Sequence, residues 1–194
     1  VVAVSATVGT LLGSLAGYHG GLVDDVISRV IDVLLAFPGL LLAIALVAVL
    51  GPSLTNVLLA LTAIGWVGYA RLVRGLVLRA REFEYVQAAR ALGASTWRII
   101  FVHIIPGTVP ALLVQATLGM AGAIIGEASL SYLGLGVQPP TPSWGTMLNG
   151  GRAHMLDAPH LTVFPGLAIA LLVIGFNLLG DGLRDRFEHR HHAE

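Results

Sequence analysis

Charge is missing from several long stretches of this chain, and those stretches set its elements. Residues 1–17 carry none, 33–70 form a 38-residue uncharged run broken at Gly51-Pro52-Ser53, and 104–126 and 158–180 contribute 23 residues each. A bilayer core about 30 Å thick takes roughly 20 apolar helical residues at 1.5 Å each. The middle run therefore holds two spans that turn at the Gly-Pro-Ser. The pattern predicts five membrane-spanning helices, near 1–17, 25–50, 54–78, 107–127 and 161–181. Helix follows because only helices and closed barrels satisfy their own backbone in lipid. Barrel strands would alternate over about ten residues, and these runs do not. The fold class is an all-α membrane protein, a polytopic helical bundle.

Composition agrees. Of 194 residues, 56% are hydrophobic and 11% charged, with a mean hydropathy of +0.84. A soluble domain carries about 25% charged residues. Eleven cations balance eleven acids, which argues against nucleic acid as a partner. Every cation is Arg. The absence of Lys excludes a Walker A phosphate loop and a Schiff base, and the absence of Cys excludes disulfides, thiolate metal sites and Cys nucleophiles.

The arginines orient the bundle. Arg71, Arg74, Arg79, Arg81, Arg90 and Arg98 gather around the connection between the third and fourth spans. Arg184, Arg186 and Arg190 follow the fifth, and Arg29 sits by the first connection. The positive-inside rule makes these regions cytoplasmic. The connections at 51–53 and 128–160, which hold only Arg152, then face outward. An odd span count with a cytoplasmic C-terminus leaves Val1 outside. The chain opens without Met and inside an apolar segment, so a preceding portion with at least one further span is expected.

Three stretches depart from plain lipid-facing helix. In Tyr18-His19-Gly20-Gly21-Leu22-Val23-Asp24-Asp25 the glycines free the backbone to turn, and Asp24 or Asp25 can cap the following helix. Arg29 and Asp32, at i and i+3, can pair at the membrane edge, and Pro38 is expected to kink the second span. The second stretch, 81–110, is the most informative. Residues 82–92 read as a short helix with acids in its first turn and Gly93 where a C-cap belongs. Ser95 can cap a second helix running to Ile105, before Pro106. Tyr85, Ala88, Ala89 and Leu92 share one face, with paired alanines as a shallow spot for another backbone. A helix this short needs something to pack on, either its own spans or a partner. The third stretch, 128–160, contains too many Pro and Gly for one long helix, and it is either a lid or contact surface or a loop packed over the helix ends. Glu127, at the outer end of its span, invites structural pairing with Arg152 or contact with a substrate, since a charge at mid-bilayer would cost about 3 kcal/mol. His189, His191 and His192 cluster in a polar tail without a fourth ligand, which reads as a solvated tail rather than a zinc or nickel site.

Gln87-Ala88-Ala89, Gly93 and His103-Ile104-Ile105-Pro106 resemble the EAA loop of ABC importer permeases, which runs Glu-Ala-Ala, three residues, Gly, nine residues, Ile, any, Leu, Pro. The spacing agrees throughout. Gln87 for Glu, His103 for Ile and Ile105 for Leu depart from it. Glu127-Ala128-Ser129-Leu130-Ser131-Tyr132-Leu133-Gly134, Pro142-Ser143-Trp144-Gly145 and Asn177-Leu178-Leu179-Gly180-Asp181-Gly182 are similar to the dipeptide/oligopeptide/nickel branch of that family. The resemblance implies the type I importer architecture with its first helix missing here: a transmembrane domain over 1–181 with a cytoplasmic coupling loop at 79–106 and an external loop at 128–160, then a cytoplasmic tail at 182–194.

It further implies a permease of the bacterial inner membrane that carries short peptides, with nickel or another small solute as the alternative. The 84–97 segment would be a coupling helix, with Tyr85, Gln87, Ala88, Ala89, Leu92, Gly93 and Pro106 in the ATPase-coupling loop. Asp32, Pro38 and Glu127 are candidates for the path or its gate. The implied partners are a second permease subunit, two cytoplasmic ATPases that hold ATP and Mg, and an extracytoplasmic solute-binding protein. No cofactor and no catalysis are expected of this chain. The rival reading, an ion-gradient-driven transporter, would require a proton relay, for which Asp32 and Glu127 are the only acidic candidates, or repeated halves, of which the sequence shows none. An intramembrane enzyme would require a nucleophile and base, which the sequence lacks in any plausible arrangement.

Overall fold

The computed structural model describes residues 1–190, apart from the side chains of 188–190, and over that range it contains helices and turns with no strand. The helices are α1 (Val2–His19), α2 (Gly21–Leu35), α3 (Gly39–Leu50), α4 (Leu54–Ala80), α5 (Glu84–Ala91), α6 (Thr96–Arg98), α7 (Ile105–Tyr132), α8 (Trp144–Gly151) and α9 (His160–Arg190). Among the described residues, three helical stretches are long and apolar enough to cross a membrane: Leu54–Ala80, Thr96–Tyr132 and His160–Phe187.

The span expected over 25–50 takes a different form. Its helix starts at Gly21, breaks before Pro38 and resumes at Gly39, with α2 and α3 bent by 87°. Proline cannot donate its backbone N–H and disfavours helix in the residue before it. Counting that pair as one span brings the total to four. The expected fifth, α1, is a helix of 18 residues outside that set. Its small and hydroxyl residues serve packing instead of raising its hydropathy.

Those residues build a close backbone contact between α1 and α4. Ser5, Gly9, Gly13 and Gly17 recur every four residues, are all buried, and face α4. A Cβ on Gly9 would lie 2.6 Å from the Trp66 carbonyl, one on Gly17 2.8 Å from the Arg74 carbonyl, and one on Gly13 against the backbone of Ala70. Close backbone approach over small residues is how helices associate where no hydrophobic effect drives them together. Ala60, Val67, Ala70, Val73 and Val77 of α4 are buried along with this stripe.

The turn at 51–53 forms as expected. Gly51 adopts φ +93°, the Ser53 hydroxyl accepts from the Asn56 N–H, and the Asn56 side chain donates to the Leu50 and Gly51 carbonyls at 2.9 Å each. Beyond α7 the chain folds onto the helix ends. Gly134, at φ +79°, closes α7 through bonds from Gly134 N to Ser131 O and from Leu135 N to Leu130 O. A capping box between Ser143 and Thr146 starts α8, Asn149 donates to the Tyr132 carbonyl at 2.6 Å, and Gly145 lies against Ala128 and Ser131. Of the two readings of this connection, the geometry matches a segment packed over the helix ends. The first part of the expected polar tail, 182–190, continues α9, which runs through Arg190.

Candidate functional site

At the Arg-rich end, the chain leaves α4 at Arg81 and turns into α5. Gln87 Nε2 donates to the Glu82 carbonyl at 3.0 Å, satisfying an acceptor at the elbow. The far end closes as the sequence implies. Gly93 takes φ +80°, its N–H bonds Arg90 O at 3.0 Å, and the Ala94 N–H bonds Ala89 O at 3.1 Å. This pair of bonds is a Schellman closure, which needs a left-handed residue at Gly93. Ser95 then caps the next arm, accepting from Arg98 N.

That arm does not stop before Pro106. It passes from α6 through a π-helical turn, Ile99–Ile104, directly into α7, giving a continuous helical stretch of 37 residues. Pro106 lies just after the π-helical turn, whose wider register, closed by Ile105 N to Ile100 O, accommodates a residue that has no N–H to donate.

One side of α5 is anchored on its own chain. Val86 is buried among Tyr18, Val73, Val77, Ala80, Ile99, Ile100 and Ile104, with Ala89 and Ala94 packed at the edge. The face read from periodicity is largely open: Tyr85 is 51% exposed, Leu92 89%, and Ala88 is exposed, while Ala89 is half-buried. Of the two supports that the sequence left open, the structure shows its own spans, at Val86, and leaves the opposite face exposed. Sequence reasoning passed over Val86 because it lies off the stripe of Tyr85, Ala88, Ala89 and Leu92 on which the period was read. The third side carries Gln87, Arg90 and Ala91. The Arg90 guanidinium lies 5.3 Å from the centre of the Tyr18 ring, and this contact with Tyr18 raises its pKa above the ordinary value.

The three path candidates are not brought together. Asp32 is exposed and pairs with Arg71 at 3.2 Å, not with Arg29 one turn away. Asp24 does not cap α2, whose N-cap is Gly20; it accepts a fork from Arg74, through Nε and, at 2.7 Å, through the second guanidinium nitrogen, and a bond from Ser28. Local spacing allowed the shorter pairings. The tilt of α2 against α4 made the longer ones, and two carboxylates eight residues apart meet two arginines three apart. Pro38 sits exposed at the α2–α3 break. Glu127 does not pair with Arg152; its Oε1 accepts from the Ser131 hydroxyl at 2.6 Å, and Ser131 in turn accepts from Val137 N. Their neighbours Gly39 and Gly126 do meet, in a cavity of about 370 Å³ that also takes in Ser5, Gly65, Gly119 and Gly122. Among the described residues no cluster of His, Asp or Glu could hold a metal ion. The His189, His191 and His192 side chains lie outside the described residues.

Residues 9–192 match the family described as the binding-protein-dependent transport system inner membrane component. The chain belongs to this family. Within it, the chain is 50% identical to the glutathione transport system permease protein of Pectobacterium atrosepticum over 187 residues, covering 96% of this chain and 62% of that protein. It is 50% identical to the dipeptide transport system permease protein of Alkalihalophilus pseudofirmus over 180 residues, 93% of this chain and 59% of that one. It is 54% identical to the glutathione transport system permease protein of Escherichia coli O157:H7 over 187 residues, again 96% and 62%. The chain spans about three fifths of the length of these curated relatives. As an inner membrane component by family, it has the apolar helices such a location requires, and the resemblance read from the 87–106 spacing is to the same group of permeases.

Proposed function

We propose that this chain is a transmembrane permease subunit of an ATP-driven importer for short peptides, working with a second permease subunit, two cytoplasmic ATPases that bind ATP and Mg, and an extracytoplasmic binding protein. The relatives' names, glutathione and dipeptide transport, support the peptide class. The observation that carries the reading is the state of α5: fixed to its own bundle at Val86, it leaves Tyr85, Ala88 and Leu92 open at the end where six arginines collect. On this reading that end is cytoplasmic, with the C-terminus on the same side.

The mechanism follows from continuity. An ATPase seated on the open face of α5 moves it as a stiff piece, because the Schellman turn fixes the angle to the next arm. That arm has no break before α7. A displacement at α5 therefore reaches the span and the cavity lined by Gly119, Gly122 and Gly126. This chain supplies the path and the lever, while hydrolysis belongs to its partners.

Ala88→Asp puts an unpaired charge at the centre of the open face. In the reconstituted complex it is expected to abolish substrate-stimulated ATP hydrolysis while the subunit still inserts. Wild-type stimulation in that variant would overturn the lever assignment. Failure of an ATPase pair to copurify with the native subunit would favour a gradient-driven carrier.

A further inference from the structure

A polar cleft of about 550 Å³ opens between the end of α1 and the inner side of α5, lined by Tyr18, His19, Arg81, Glu82, Gln87 and Arg90. Its volume is in the range of small-ligand sites. Helical spacing places Gln87 and Arg90 on the side of α5 away from Tyr85, Ala88 and Leu92, so the cleft and the open face lie on different sides of the helix. Of the residues expected in the coupling loop, Gln87 alone lines the cleft.

The charge in the cleft is unbalanced. Arg81 donates from Nε to Glu82 at 3.0 Å and from one terminal nitrogen to the Gly17 carbonyl at 3.2 Å, which occupies the only carboxylate in the lining. A guanidinium has five N–H donors, so Arg81 has donors to spare. Arg90 is held over Tyr18, and among the described residues no carboxylate lies within ion-pair distance of it. The cleft thus presents two guanidiniums against one engaged carboxylate, together with a phenol and an imidazole whose Nδ1 is 3.2 Å from the Leu15 carbonyl. Gln87 contributes a neutral amide. The location adds a second constraint: the cleft sits where α1 ends at His19 and the membrane-crossing α4 ends at Ala80. Forked guanidiniums match phosphate oxygens, and basic pockets at the ends of spans lie at the depth of lipid headgroups.

We propose that this cleft binds a phosphate group through Arg81 and Arg90, and that in the membrane the phosphate is the headgroup of an acidic phospholipid. The test uses the purified full-length subunit in its complex, exchanged into detergent and read by native mass spectrometry. Probes are dioleoylphosphatidylglycerol, dioleoylphosphatidylcholine and, separately, excess inorganic phosphate. Phosphatidylglycerol is expected to be retained over phosphatidylcholine by about tenfold, the scale of one charge-assisted hydrogen bond. Arg90→Gln is expected to erase that preference. Gln87→Glu, which leaves the Tyr18 contact in place and adds a carboxylate facing the arginines, is expected to do the same, and Leu92→Ala on the open face to leave it intact. Inorganic phosphate binding that depends on Arg90 and Gln87, without lipid retention, would keep the phosphate site and overturn its lipid source. Equal retention of the two lipids with no phosphate binding, or retention unchanged in both cleft variants, would overturn the site. None of these readouts depends on ATP hydrolysis, so the result is independent of the coupling role.

Discussion

The α1–α4 seam and the α5 arm are both helical contacts within one chain, and they are built on opposite plans. Along the seam, four small residues at a spacing of four bring two backbones together over most of the length of α1, leaving no room for a Cβ at Gly9, Gly13 or Gly17. At α5, one valine side chain is buried and most of the remaining surface is open. A contact spread over four turns resists displacement everywhere along it. A contact made at one residue fixes a position and leaves the surface around it available. The molecule thus separates a rigid body from a presented element, and the lever proposed at α5 belongs to the second kind.

Substitutions can break or sharpen this contrast. The largest effect is expected for Gly13→Leu, whose side chain would enter the backbone of Ala70. Overpacking a tight site costs roughly 1–3 kcal/mol, and the loss of monodisperse protein on heating should show it; an unchanged melting profile would mean that the seam is not tight. Val86→Ala removes two buried methyl groups, about 1.5 kcal/mol at roughly 0.8 kcal/mol each. That loss is expected to be local, with faster hydrogen exchange across 84–92 and little change in the melting of the whole. Gly93→Ala strains a left-handed residue by about 1 kcal/mol and is expected to loosen the turn without freeing Val86, visible as faster exchange at the amides of 93 and 94 alone. Arg71→Ala breaks an ion pair whose side chains are 61% and 70% exposed. At such exposure the change in stability should stay below about 0.5 kcal/mol, and a larger shift in the thermal transition would mark that pair as part of the rigid body.

What the sequence disclosed divides along the same line. Uncharged runs located α4, α7 and α9, because the absence of charge is a property of each segment alone. Ser95 and Gly93 were legible as a cap and a closure because caps depend on a few adjacent residues. The bend at Pro38 was legible as a disturbance, but its 87° was not, since a kink angle depends on what each half packs against. Asp24 and Asp32 were assigned partners on their own helix, and both found them on α4. The glycine stripe at 9, 13 and 17 was visible as a regular spacing but went unused, because counting charges says nothing about which small residues touch a neighbour. Asp32, Pro38 and Glu127 were singled out as a path, yet only the glycines beside the latter two line a common cavity. A cavity among glycines advertises no chemistry in a sequence.

The helical stretch Thr96–Tyr132 has a consequence at its far end. At 1.5 Å per residue its 37 residues reach about 55 Å, well beyond a hydrocarbon core of about 30 Å. Its top carries Ser131, which ties Glu127 on one side to Val137 on the other. A tilt or twist started at the foot of this shaft arrives at the opposite surface as a shift of the folded cap, so the two faces of the membrane cannot rearrange independently.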